Sequence, residues 1–157
     1  MPSVALSDAE VFFAQVLNVQ DGDSFSVMTS FGRRERIRLA GIDAPELEQP
    51  HGEAARDALQ RMLLGSRLEI QGRKRDPFGR WVARAYRLQG GADSPKLDIA
   101  REQLLRGHAW VFTRYTKEQP AQEVRDDLQA QRLAQQARLG LWAQEQPQPP
   151  WDFRRQR

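Results

Sequence analysis

Arg38-Leu39-Ala40-Gly41-Ile42-Asp43-Ala44-Pro45-Glu46 is the stretch on which the reading of this 157-residue chain turns. Its first residues finish an alternating segment, Arg34 to Ile42. There Ile37 and Leu39 share one face and Arg36 and Arg38 the other, as in a strand with one apolar side. Its last residues set Asp43 and Glu46 just beyond that strand, and Asp21-Gly22-Asp23-Ser24 stands a short way upstream. Each piece alone has an ordinary meaning. Asp-Gly is a hairpin turn, Asp before Ala-Pro is a turn or cap residue, and Glu ahead of a helix is a solvated charge. Together they offer carboxylates and a guanidinium beside strand ends. Carboxylate oxygens suit a hard cation, and a planar guanidinium grips a phosphate with two parallel hydrogen bonds. The combination suits hydrolysis of a phosphodiester.

Outward from this stretch, residues Val11 to Val19 and Ser24 to Thr29 read as two more strands, with Phe25 and Val27 alternating against Ser24 and Ser26. His51 to Leu64 reads as a helix, with Ala55, Ala58, Leu59 and Met62 at helical spacing and Gly65 as its stop. Strands over Arg67 to Arg73 and Trp81 to Leu88 flank a turn holding Pro77 and Gly79, and Gln89 to Ser94 reads as a surface loop. A short helix over Asp98 to Arg106 and a longer one over Pro120 to Leu139 each stop at a glycine. The reading is a domain over 1–143 and a Pro/Gln/Arg-rich tail over 144–157. The tail is expected to be extended, with Trp142 or Trp151 packing back.

Composition sets bounds. A chain of this length fits one domain with a modest core, and 39% hydrophobic residues argue against disorder. No apolar run approaches the roughly 20 residues that cross a bilayer. The net charge is only +3, yet 21 of the 24 basic residues are Arg, which suits phosphate recognition and is equally explained by GC-rich codons with ordinary solvated arginines. With no Cys there are no disulfides or thiolate metal sites. Met1-Pro2-Ser3 does not open a basic-then-apolar leader.

The two acidic segments resemble the signature of the staphylococcal nuclease (thermonuclease) family, which has Asp-Gly-Asp-Thr, then Arg, then Asp-Thr-Pro-Glu or Asp-Ala-Pro-Glu. Asp76-Pro77-Phe78-Gly79-Arg80, Leu104-Leu105-Arg106-Gly107-His108-Ala109 and Gly140-Leu141-Trp142 resemble later family elements, in the family's order. The resemblance runs from about Val11 to Trp142. Five strands and three helices make an α+β chain, mainly β barrel. That count is compatible with the five-stranded oligonucleotide-binding (OB) barrel, and the resemblance implies the same barrel.

Site roles follow from the resemblance. It implies that Asp23 and Asp43 are side-chain ligands of Ca²⁺, that the carbonyl of Ala44 is a third ligand, and that Asp21 stands behind them. It implies that Glu46 acts as general base or orients the attacking water, and that Arg38 and Arg80 clamp the phosphate. Glutamates are anions at neutral pH but weak bases, so the metal has to share that work. Ala44 stands where the founding member has Thr, which removes a hydroxyl near the water but not the carbonyl. Tyr115 aligns with a nucleotide-contacting tyrosine, whereas Thr113 stands where a second one is frequent. Phe112 reads equally well as core. Lys74 and Arg84, in a basic stretch with Arg73, Arg75 and Arg87, are the candidates for following the nucleic-acid backbone. His51 and His108 have no partners at metal-ligand spacing and receive no role.

The expectation is a monomeric, Ca²⁺-dependent endonuclease acting on single-stranded DNA and RNA, away from membranes, and leaving 3′-phosphate ends. Members of this size are commonly exported, which implies a secreted or periplasmic protein with its leader removed; a cytoplasmic one is the alternative. Two rivals stand beside the enzyme. One is a catalytically silent nucleic-acid- or protein-binding module on the same barrel, and the other an interaction domain working through the tail.

Overall fold

The computed structural model describes residues 9–90 and 94–156. The expectations for Met1-Pro2-Ser3 and for part of the 89–94 loop lie outside the described residues, as does the side chain of Tyr115. In chain order the regular elements are β1 (Glu10–Asp21), β2 (Ser24–Thr29), β3 (Arg34–Leu39), β4 (Ile42–Asp43), α1 (Gly52–Leu63), β5 (Arg67–Arg75), β6 (Trp81–Leu88) and β7 (Lys96–Asp98). Then come α2 (Ile99–Leu105), β8 (Trp110–Val111), α3 (Ala121–Gln136) and α4 (Pro150–Arg155), with 3₁₀ turns at Thr113–Glu118 and Gly140–Ala143.

By contacts the chain forms two compact units. Among the described residues, the first takes those up to Gln20, Ser24–Ala40 and Gln60–Ile99; the second takes Asp21–Asp23, Gly41–Leu59 and those from Ala100 on.

The first unit is a five-stranded mixed barrel. Its sheet runs β3-β2-β1-β5-β6-β7, and a further pairing of β3 with β6 closes it. That closing pair is parallel, Ile37 opposite Trp81 and Leu39 opposite Ala83, while β1–β5, β2–β3 and β5–β6 are antiparallel. Closure follows from the alternation in the sequence. Phe12 and Ala14 on β1, Phe25 and Val27 on β2, Ile37 and Leu39 on β3, Leu68 and Ile70 on β5, and Trp81, Ala83 and Ala85 on β6 are all buried. Every strand therefore has one apolar face, and joining the two edges leaves no unpaired strand in the ring. Each large buried side chain contributes about 1.5–3 kcal/mol relative to exposure.

Strand boundaries differ from the sequence reading: β1 and β5 run longer than Val11 to Val19 and Arg67 to Arg73, and β3 is shorter. The third strand stops at Leu39 instead of reaching Ile42. After Ala40, whose N–H donates to the carbonyl of Ala83 at 2.8 Å, the chain turns at Gly41 with φ 87°. The longer strand was inferred from unbroken alternation, which cannot register a change of backbone direction at one glycine.

In the second unit, Ile42–Asp43 pairs with Trp110–Val111 as a separate two-stranded sheet, Asp43 opposite Trp110. The glycines expected to stop two helices also meet. Leu141 N–H donates to the carbonyl of Gly107 at 2.8 Å, and a Cβ on Gly140 would lie 2.2 Å from that oxygen. Both have positive φ, 81° and 53°, and form a close backbone crossing; Gly107 follows the end of α2, whereas α3 ends before Gly140, with Arg138 at φ 54° just past its cap. Asp127 on α3 is fully buried and paired with Arg101 at 3.2 Å. No helix among the described residues is long and apolar enough to cross a membrane.

The segment after Trp142 is not wholly extended. Residues up to Pro149 lead into α4, where Pro150 stands in the first turn. Trp151 stacks on Phe112 with ring centroids 5.8 Å apart and meets Trp110 edge-on at 5.6 Å; Trp142 meets Trp110 at 4.4 Å. The long helix ends at Gln136, three residues before the expected Leu139.

Candidate active site

The acidic residues lie in the second unit and come from two of its segments, Asp21–Asp23 and Gly41–Leu59. Asp21-Gly22-Asp23 turns at the end of β1, and the N–H of Asp23 donates to Asp21 Oδ1 at 3.1 Å, so Asp21 shapes the turn that presents Asp23. The turn is packed tightly: a Cβ on Gly22 would lie 2.7 Å from Ala44 Cβ and 2.8 Å from Ala55 Cβ. Gln103 Nε2 ties the Gly22 carbonyl from below at 2.8 Å. Asp23 Oδ2 then accepts the N–H of Ala44 at 2.7 Å. Asp23 is thereby fixed against the residue that follows Asp43. Both carboxylates are nearly enclosed, at 5% and 1% exposure.

Glu46 follows Pro45. Its N–H donates to Gln49 Oε1 at 2.8 Å, and Gln49 Nε2 donates to the carbonyl of Gln148 at 3.0 Å. Gln49 is itself buried, so one amide braces the Glu46 loop and holds the tail. Sequence reasoning missed Gln49, because an amide carries no spacing signal.

Arg154 was missed as well. Its guanidinium lies across the acidic residues: Nη2 reaches Asp43 Oδ2 at 2.6 Å, Nη1 reaches Asp43 Oδ1 at 3.2 Å, and Nη1 also reaches Glu46 Oε2 at 3.1 Å. The hydrogen bonds it donates to Asp43 are the main reason that Arg154 holds its proton more tightly than an ordinary arginine; burial opposes this and the charges of Asp43 and Glu46 reinforce it. The one trace in the sequence is Trp151, three residues earlier, an aromatic able to pin the tail. Among the described residues no three His, Cys, Asp or Glu side chains converge as a metal cage.

The predicted arginines belong to the barrel unit. Arg38 lies on the polar face of β3, with Nη1 donating to the Leu39 carbonyl at 2.8 Å. Arg80 leaves the β5–β6 turn, and Asp76 positions it twice, through its own N–H at 2.9 Å and its Nε at 2.7 Å. Burial works against ionisation of Asp76, but the Arg80 side-chain and backbone hydrogen bonds outweigh it and hold the carboxyl below its ordinary value.

Arg84 requires a correction. It is fully buried, with Nη1 on the Ala40 carbonyl at 3.1 Å and Nη2 on Asp98 at 2.8 Å, so it is a barrel strut and not a contact for nucleic acid. Nor is the surrounding basic stretch a continuous open track. Arg75 is held by Glu35 at 2.7 Å and Arg87 by the Met62 carbonyl at 3.0 Å; Lys74 is exposed. The β period places alternate residues inside, and a run of basic letters does not reveal which of them has a buried partner.

In the second unit a shallow cleft of about 420 Å³ is lined by Phe112, Thr113, Arg114, Trp151, Arg154 and Arg155. His51 and His108 stack with ring centroids 5.1 Å apart and share a hydrogen bond between Nε2 and Nδ1 at 2.9 Å. Burial lowers the His51 pKa from its ordinary value.

Comparison with known proteins places the chain in a family. The model of the staphylococcal nuclease homologue family matches residues 36–144. A probable staphylococcal-like nuclease, CAN3, of Oryza sativa subsp. japonica is 38% identical over 123 residues, covering 78% of this chain but 29% of that longer protein. A Shigella flexneri protein named micrococcal nuclease is 32% identical over 146 residues, covering 92% of this chain and 81% of its own length. An Escherichia coli protein named as an uncharacterized endonuclease is 32% identical over 140 residues, covering 89% and 83%. With a mixed five-stranded barrel and the Asp-Gly-Asp, Asp-Ala-Pro-Glu and Phe-Gly-Arg elements in order, the chain belongs to the staphylococcal nuclease family.

Proposed function

We propose that this protein is a calcium-dependent endonuclease that hydrolyses phosphodiester bonds of DNA and RNA and leaves 3′-phosphate ends. Relatives named as nucleases support the reaction class. One observation carries the metal half of the reading: Asp43, at 1% exposure, has a guanidinium across its two oxygens, while Asp23 is anchored on the next residue's amide. Enclosed carboxylates need a positive partner, and a donor set made only of oxygens fits a hard cation. Asp23, Asp43 and the carbonyl of Ala44 would hold the ion, with water and a phosphate oxygen completing its shell. When bound, Ca²⁺ supplies Lewis-acid polarisation of the phosphoryl group.

The chain's own groups do the rest. Glu46 takes a proton from water as the water oxygen bonds to phosphorus. The P–O5′ bond breaks, the 5′-oxygen leaves and takes a proton from solvent water, and the phosphate stays on the 3′ side. Arg38 and Arg80 offset the charge that gathers on the phosphoryl oxygens; Asp76 engages Nε of Arg80, which leaves its two Nη groups for a phosphate fork. Ala44 offers no hydroxyl to the attacking water, a change that bears on the rate and leaves the carbonyl ligand in place. Phe112 and Arg114 line a cleft suited to an unpaired base and its phosphate, and Lys74 and Tyr115 are the remaining nucleic-acid contacts in this reading.

The deciding assay follows single-stranded DNA and RNA with added Ca²⁺, without it, and with EDTA, for the wild type and Glu46→Gln. Cleavage by the wild type alone, abolished by EDTA, is expected. Substrate left intact under every condition would remove the enzyme and leave the silent binding module.

A further inference from the structure

We propose that α4 is an internal competitor for the cation site, with Arg154 as the competing charge. The inference rests on the metal site proposed above, and it concerns a residue beyond the span that the family model matches.

Geometry carries it. The two Nη atoms of Arg154 take both oxygens of Asp43, at 2.6 and 3.2 Å, and Nη1 also takes Glu46 at 3.1 Å. A divalent ion on Asp43 needs the same lone pairs, and the like charge of a guanidinium a few ångströms away opposes it. Guanidinium and cation therefore exclude one another. The chain that presents Arg154 is suited to release. It is a six-residue helix, too short to persist unsupported. It is carried on a proline-rich segment whose flanks, Gln144 and Pro149, have extended backbone, and such segments keep their shape without internal hydrogen bonds. Its other anchors include the Trp151 rings on Phe112 and Trp110 and the Gln49–Gln148 hydrogen bond, which do not use the Asp43 carboxylate oxygens. Cation binding thus displaces Arg154, and the helix loses its charged anchor and opens. The affinity of the site for the ion is reduced by the ratio of docked to released α4.

The test titrates Ca²⁺ calorimetrically into the full-length wild type, Arg154→Ala, Trp151→Ala and Asp43→Asn. Trp emission and trypsin cleavage after Arg154 and Arg155 are followed in the wild type. Arg154→Ala removes the competitor. Trp151→Ala loosens its helix while keeping the Arg154 side chain, and so serves if the first variant folds poorly. Both are expected to bind Ca²⁺ about 10-fold tighter or more, with binding lost in Asp43→Asn. Added Ca²⁺ is expected to red-shift the wild-type emission and expose the two arginines to trypsin. Equal affinities within about two-fold across the wild type and both α4 variants, with binding still lost in Asp43→Asn, would overturn the competitor and leave the metal site standing. Absence of Ca²⁺ binding in all four proteins would overturn both.

Discussion

Arg154 and Asp43, 111 residues apart in the chain, form a two-point ion pair in which both carboxylate oxygens meet guanidinium nitrogens. Asp43 is enclosed, so the pair is not an ordinary surface contact: removing the arginine leaves a carboxylate away from water. In Ca²⁺-free buffer, urea unfolding of Arg154→Ala is expected to show a loss of about 1–3 kcal/mol. Added Ca²⁺ should return part of it, because a cation that binds only the folded chain stabilises it by mass action.

Glu46 and Arg80 separate chemistry from folding. Glu46→Gln keeps shape and removes the base, with an expected loss of about 10²–10⁴ in kcat. Arg80→Ala removes a donor to the phosphoryl oxygens and should cost about 10²–10³. Asp76→Asn should cost less than Arg80→Ala, since it loosens the orientation of that guanidinium without removing it. Initial rates on single-stranded DNA beside thermal melts check all three, and the melts of Glu46→Gln and Arg80→Ala should stay near that of the wild type.

Arg84 should behave in the opposite way. Arg84→Ala uncouples Asp98 and leaves the Ala40 carbonyl inside the barrel without that donor. The expected destabilisation is about 3–5 kcal/mol, read by urea unfolding. Binding of single-stranded DNA per folded molecule should be unchanged.

Gly140→Ala tests the backbone crossing. The new Cβ would be placed 2.2 Å from the Gly107 carbonyl in a left-handed conformation, so both strain and collision apply. A loss of about 2 kcal/mol or more is expected, measured by thermal or urea denaturation.

His51 gives the stability a pH dependence of known sign. Burial holds its pKa below the ordinary value, so the unfolded chain binds this proton more readily than the folded one. Its contribution is therefore complete above about pH 6.5 and is lost as the pH falls through that value toward the folded pKa. Unfolding free energies taken between pH 8 and 5 should decline on the acid side. In His51→Asn, which tolerates the positive φ of 75° and cannot titrate, that part of the slope should flatten.

The barrel was largely legible because a strand with one buried face writes its period into the chain. Phe25 and Val27, and Ile37 and Leu39, could face only one way, and Trp81–Leu88 forms the strand its letters suggest. Backbone turns were less visible, as the break at Gly41 shows. The basic residues of β5 and β6 were least legible, because Arg84 is spelled like Lys74 and Arg73 but finds Asp98 and Ala40 inside.

The sequence by itself determined the strands, the family elements and the identity of the acidic residues, since these depend on local period and on motifs a few residues long. Tertiary structure alone decided that Asp23 is tied to the amide of Ala44, that Gln49 braces Glu46 against the tail, and that Arg154 covers Asp43. Those are pairings between segments distant in the chain. A guanidinium 111 residues from its carboxylate leaves no periodic mark, and only the path of the folded backbone brings the two together.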